Sequence, residues 1–170
     1  MQRKSVSALV QALNAADVRY LLVGGLAVVA HGYVRFTADV DVVLDLQDNN
    51  VRRASAALAG LGYRPRAPVA LEDFIDPANR AAWVRDKGLT VFSLYSAEHP
   101  ATEVDLFVEA PFNFDEAYAR AVRMELAPEV VATFVGLDDL LALKRRTGRS
   151  QDALDIQQLM ALKQDRPDEA

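Results

Sequence analysis

The sequence contains no cysteine, which excludes a disulfide framework, thiolate metal ligation and a thiol nucleophile, and suits a reducing cytosol. It also lacks an unbroken apolar run near its start. Met1 to Ser7 is polar and leads into an amphipathic segment, so neither a signal peptide nor a membrane span is expected and the expected location is cytoplasmic. A basic excess is missing as well: the formal net charge is −5. That excludes a generic electrostatic hold on nucleic acid and leaves only a local basic patch for the purpose. No internal repeat or low-complexity segment is visible. What remains is a chain of 170 residues, 51% of them hydrophobic, enough to bury one core.

Val6, Leu9, Val10 and Leu13 fall at i, i+3, i+4 and i+7 and predict an amphipathic helix, followed by a strand from Tyr20 to Val23. Gly24 and Gly25 end that strand and open a short buried helix, Leu26 to His31, closed by Gly32. Asp39 to Leu46 alternates, with Val40, Val42, Leu44 and Leu46 on one face and Asp39, Asp41, Val43 and Asp45 on the other, the pattern of a strand. Asn49 or Asn50 is expected to cap a helix that runs to about Leu61. Tyr63 to Asp86, broken by three prolines, has no readable period. Leu89 to Leu94 and Glu103 to Val108 predict two strands, Phe114 to Arg123 a helix, and Glu129 to Val135 a further strand. Leu137 to Arg146 and Gln151 to Lys163 are helical by pattern, and a polar tail from Asp165 to Ala170 is expected to fray. The whole is expected to form a single unit, with an α/β core to about residue 135 and C-terminal helices over about 136–164.

Asp39 and Asp41 leave the same strand face. Two carboxylates this close repel, and a hard cation such as Mg²⁺ or Mn²⁺ is the usual reason to keep both ionised. Asp105 is a lone charge among Val104, Leu106, Phe107 and Val108. If its strand lies beside that of Asp39 and Asp41, three carboxylates meet, a set able to hold two metals for in-line phosphoryl transfer, with Asp105 placed to help deprotonate the acceptor. Asp45 and Asp48 read as surface acids. Gly24 and Gly25 allow the backbone close to a phosphate. Arg35 and Thr37, just before the acids, are candidates for a phosphate or metal-ligand contact, with a structural salt bridge the alternative for Arg35. His31 reads as a hydrogen-bonded structural histidine and His99 as a loop residue.

Lys144 continues the apolar stripe of Leu137, Leu140 and Leu141, so its ammonium faces inward and needs an anion: a triphosphate, or Asp152 or Asp155 on the next helix. Arg145, Arg146 and Arg149 form the dense basic cluster of the sequence, and Arg149 is the member favoured for triphosphate or RNA. Asp152, in the first turn after Ser150, also suits the helix dipole without any functional role.

Gly24-Gly25, Asp39-Val40-Asp41 and Asp105 together resemble the pattern of the nucleotidyltransferase superfamily. The stretch Gly24-Gly25-Leu26-Ala27-Val28, His31-Gly32, Arg35, Thr37 and Asp39-Val40-Asp41 most resembles its AbiEii-type branch of toxin–antitoxin and phage-defence nucleotidyltransferases. Aminoglycoside and lincosamide nucleotidyltransferases share a similar opening. The resemblance implies a polymerase beta-like α/β (α+β) fold, a small mixed sheet flanked by helices. It implies Mg²⁺-dependent transfer of a nucleoside monophosphate from a nucleoside triphosphate to a hydroxyl on tRNA, protein or a small molecule, and a possible cognate antitoxin partner. It further implies triphosphate contacts for Lys144 and an ordering role for Asp152 and Asp155. In one respect the chain departs from the pattern, because Gly25 stands where many relatives carry serine. Three other readings compete: a catalytically silent nucleotide- or partner-binding module of the same fold, an aminoglycoside-type antibiotic nucleotidyltransferase, and an Asp-x-Asp glycosyltransferase.

Overall fold

The computed structural model describes residues 2–165; most of the expected polar tail lies outside them. The elements run α1 (Arg3–Ala15), β1 (Tyr20–Leu22), α2 (Gly24–Ala30), β2 (Asp39–Leu44), α3 (Asp48–Gly60) and β3 (Arg64–Pro65). A 3₁₀ turn (Leu71–Phe74) and α4 (Pro77–Lys87) follow, then β4 (Val91–Tyr95), β5 (Glu103–Phe107), α5 (Phe114–Ala119), β6 (Val122–Ala127), β7 (Val130–Phe134), α6 (Leu137–Thr147) and α7 (Ser150–Asp165). The strands form one mixed seven-stranded sheet in the order β3-β4-β5-β2-β1-β7-β6, so the expected mixed α/β class is found.

β1 is buried along its whole length and lies between β2, antiparallel to it, and β7, parallel to it. β2 then runs parallel to β5 with Asp41 opposite Asp105. The alternation read from the sequence becomes two sheet faces. Val40, Val42, Val104, Leu106, Phe92 and Leu94 are all buried and share the face covered by α1, α3, the 3₁₀ turn and α4. Trp83 of α4 and Phe74 of the turn both stack on Phe92, with centroids 5.1 and 5.2 Å away. The Tyr20 hydroxyl donates to Asn14 of α1 at 3.0 Å. The opposite face carries Asp39, Asp41 and Asp105 and meets α2 and α6.

Three expectations need correction. The helix predicted over Phe114–Arg123 stops at Ala119, and Val122–Ala127 is an edge strand paired with β7. Its alternation is weak because only one face of it is half-buried. α3 starts at Asp48 behind Gln47, with no side-chain cap. Asn50 is instead a buried bracket: its side chain accepts from the Arg19 amide at 2.8 Å and donates to the carbonyls of Arg19 and Asp45. Asp45, read as a surface acid, is buried and bonded to Arg19 at 2.5 Å, whereas Asp48 is exposed on α3 beside Arg52. The unreadable stretch contains α4, capped by Asp76, whose carboxylate accepts from Ala78 N–H at 2.8 Å, with Pro77 at the first helical position.

Candidate active site

The residues singled out by pattern come from four distant parts of the chain and line one cavity of about 340 Å³. The sheet supplies Asp39, Asp41 and Asp105; the β1–α2 junction supplies Gly24 and Gly25; the stretch between α2 and β2 supplies Arg35 and Thr37; and α6 with its following turn supplies Lys144 and Arg149. Asp152 reaches the same cavity from α7. Asp155 lies behind it, fully buried.

Asp41 and Asp105 are cross-strand partners on parallel neighbours, and Asp39 stands opposite Glu103, about 6.6 Å further along the strand. None of the three has an ion-pair partner among the described residues. The cost appears in the titration of Asp41 and Asp39. Burial first, then the charges of Asp105 and Asp39, push the Asp41 carboxyl up to about 6, with Lys144 and Arg149 offsetting only part of this. Asp39 is raised too, by burial and then by Asp105 and Glu103. An all-carboxylate donor set with surplus negative charge fits a hard divalent cation. Among the described residues, however, no three acid or imidazole side chains are already gathered at metal-ligand spacing.

Gly24 has φ of +60° and sits so close to Asp41 that a Cβ there would be 1.9 Å from Oδ2. A Cβ on Gly25 would come within 2.4 Å of Thr37 Oγ1 and 3.0 Å of an Arg35 nitrogen. The missing serine thus has a local reason: the segment carrying Arg35 and Thr37 occupies the space a side chain would need. The first amides of α2 have no acceptor within their own helix and lie beside Asp41.

Lys144 resolves an alternative the sequence left open. Its ammonium is buried and bonded to both Asp152 and Asp155 at 2.7 Å; Thr147 Oγ1 donates to Asp152 at 2.6 Å. Asp155 also holds Arg35, which donates from Nη2 at 2.9 Å. Arg35 Nε is 2.8 Å from the other oxygen, but its N–H is not aimed at it and finds no acceptor, so the pair is an ion pair with one good hydrogen bond. Burial alone would raise Asp155, yet hydrogen bonds from Lys144, Arg35 and Gln151 outweigh it and the net shift is downward. Asp152 is lowered in the same way by Lys144 and Thr147. Arg35 and Lys144 are therefore neutralised in place. Arg149 lines the cavity with no ion-pair partner among the described residues, while Arg146 donates to the carbonyl of Pro111. His31 is structural as read, 2.8 Å from the Val135 carbonyl, and His99 lies in the β4–β5 loop, bonded to Ser5.

Pattern reading missed Thr90, Val91, Phe107, Leu140 and Leu143, which also line the cavity. The four apolar ones look like ordinary core residues, and only the assembled fold reveals that they share a cavity with the acids.

No protein-family model matches the chain, and no curated protein matches it in sequence. Among solved structures it is similar to a lincosamide antibiotic adenylyltransferase, LnuA, determined with lincomycin bound: the TM-score is 0.63 at 15% identity, over 95% of this chain and 98% of that one. The two share an overall fold along nearly their full lengths. Among the described residues no helix is long and apolar enough to cross a membrane.

Proposed function

We propose that the chain is a nucleotidyltransferase that moves a nucleoside monophosphate from a nucleoside triphosphate to an acceptor hydroxyl and releases pyrophosphate. The observation that carries this reading is the pairing of Asp41 with Asp105 across parallel β2 and β5, with Asp39 on the same face and no ion-pair partner for any of the three among the described residues. Asp39, Asp41 and Asp105 are the residues that would hold Mg²⁺, which when bound supplies charge neutralisation and Lewis acidity at the reacting phosphate. Asp105 is assigned to accept the proton of the acceptor hydroxyl. The amides of Gly24 and Gly25, the Thr37 hydroxyl and Arg149 are assigned to the triphosphate. Arg35 and Lys144, neutralised by Asp155 and Asp152, hold the wall behind the triphosphate in shape.

The fold shared with an adenylyltransferase solved with a small-molecule antibiotic supports a small hydroxyl compound as acceptor. The sequence resemblance to toxin–antitoxin nucleotidyltransferases supports tRNA or protein, with an antitoxin as partner. A silent nucleotide-binding module is the competing reading, favoured by one observation: Lys144, the lysine the resemblance gives to triphosphate, is held by two carboxylates.

The test is incubation of the protein with each α-³²P nucleoside triphosphate, Mg²⁺ and a bacterial extract, beside Asp41→Asn. Label on RNA, protein or a small molecule only with intact Asp41 supports the reading and names the acceptor class. Nucleotide binding without any transfer would shift the conclusion to the silent module.

A further inference from the structure

The cavity is not uniform. Its α6 wall is a helical stripe at i, i+3, i+4 and i+7 in which Leu140 and Leu143 precede Lys144 and Thr147. Its sheet wall also changes character. Moving across the strands from β1 toward β4, one meets the Gly24–Gly25 turn, then Asp41 on β2, then Asp105 on β5 with Ser93 opposite it on β4, and two residues further along these strands the cross-strand pair Phe107 and Val91. Three strand spacings separate the turn from β4, about 14 Å. Anion-binding groups therefore lie on one side of the acids and an apolar patch on the other.

Few polar side chains border that patch. Gln151 belongs to the other end, where its amide donates to Asp155 at 3.1 Å, and Thr147 is bonded to Asp152. Two hydroxyls remain: Thr90, on an exposed residue, and Ser93, opposite Asp105 on the same sheet face as Val91. On the sheet the patch offers Phe107 and Val91 and no side-chain amide, carboxylate or guanidinium to read a ring edge, and Leu140 and Leu143 add apolar surface to the same cavity from α6.

Resting on the nucleotidyltransferase reading above, we propose that this apolar end receives the nucleobase and grips it by area without reading its edge, so that the protein selects purine over pyrimidine nucleotides but does not tell ATP from GTP. The linear order of the groups decides which part of the substrate goes there. With the outer phosphates at the turn and at Arg149, and the reacting phosphate at the acids, the nucleoside extends onward over Phe107 and Val91. The acceptor is left the Asp39 side, which opens toward Glu103 and the exposed Arg66. Adenine and guanine present nearly the same ring area and differ only in their hydrogen-bonding edges. A site that hydrogen-bonds an edge rejects the wrong one by about 10⁴-fold or more, whereas apolar contact alone separates similar groups by about 10–200-fold at most. Purines expose more ring to bury than pyrimidines do.

The experiment is calorimetric titration of the full chain, with Mg²⁺, against ATP, GTP, CTP, UTP and inorganic tripolyphosphate, using the wild type, Phe107→Ala and Phe107→Leu. Expected are ATP and GTP affinities within about threefold of each other, pyrimidine nucleotides several-fold weaker, and tripolyphosphate weaker still. Phe107→Ala is expected to weaken ATP and GTP by about tenfold, the loss of one aromatic contact, and to leave tripolyphosphate unchanged. Phe107→Leu, which keeps the volume and protects the fold, is expected to lie between. A gap between ATP and GTP above about 30-fold would overturn the proposal, as would nucleotide affinities that ignore Phe107 or that equal that of tripolyphosphate. Failure of every nucleotide and of tripolyphosphate to bind would overturn the nucleotidyltransferase reading itself, and this proposal with it.

Discussion

Two sets of aspartates approach the same cavity from opposite walls and meet opposite fates. On the sheet, Asp39 and Asp41 are raised in pKa and have no cation bonded to them among the described residues. On α7, Asp152 and Asp155 are at least as deeply buried yet lowered, because Lys144, Arg35, Thr147 and Gln151 hand them hydrogen bonds. Both sets follow from simple spacing, i and i+2 on a strand or i and i+3 on a helix. The difference lies in what faces them. Completed charge holds the wall in shape, and charge left incomplete is kept for something that arrives from outside.

The comparison breaks most sharply at Asp41. Asp41→Asn is expected to reduce nucleotidyl transfer by about 10³-fold or more, since several kcal/mol of transition-state stabilisation depend on that charge; the labelled-nucleotide assay measures it. Next in size is Lys144→Met, which leaves Asp152 in the α7 wall with no cation and Asp155 with Arg35 alone. It is expected to cost about 3–5 kcal/mol of stability, read by urea denaturation, and adding Asp155→Asn should recover part of the loss.

Asp41→Asn should at the same time make the protein more stable at pH 7, by up to about 3 kcal/mol. The sign follows from its pKa, about 6 against the ordinary carboxylate value of 3.8. The folded state binds this proton more tightly, so the contribution is fully present below pH 4 and is lost as pH rises through 6. Wild-type stability should therefore fall between pH 4 and 7, and the slope should shrink in Asp41→Asn; denaturation midpoints across that range check it. Asp152 and Asp155 carry the opposite sign, their contribution being present above pH 4 and lost in stronger acid. The smallest effect is the control: Arg52→Ala, removing an exposed ion pair with Asp48 on α3, should leave stability and activity unchanged.

The strand and helix patterns around the acids were legible because each has a strong period: the DVDVVL alternation became β2 and the Leu/Lys stripe became α6. β6 was lost because an edge strand with one half-buried face shows little contrast. Asp45 and Asn50 were misread because their partner, Arg19, is more than 20 residues away and no local pattern announces it. The same limit applied at the site. Its acids and glycines could be named, but the identity of the anion facing Lys144 and the apolar lining beyond Asp105 depend on which strands and helices become neighbours.

The parallel pairing of β2 with β5 and the bond from Arg35 to Asp155, 120 positions away in sequence, bear on how the protein is made. A chain emerging from the ribosome displays the glycine turn and its first two aspartates early. It lacks the third acid until β5 is out, and the clamp on Arg35 until α7 follows. The acids and the glycine turn can thus be in place on the sheet before the wall that closes the cavity around Arg35 exists, and the cavity is completed only when α7 docks.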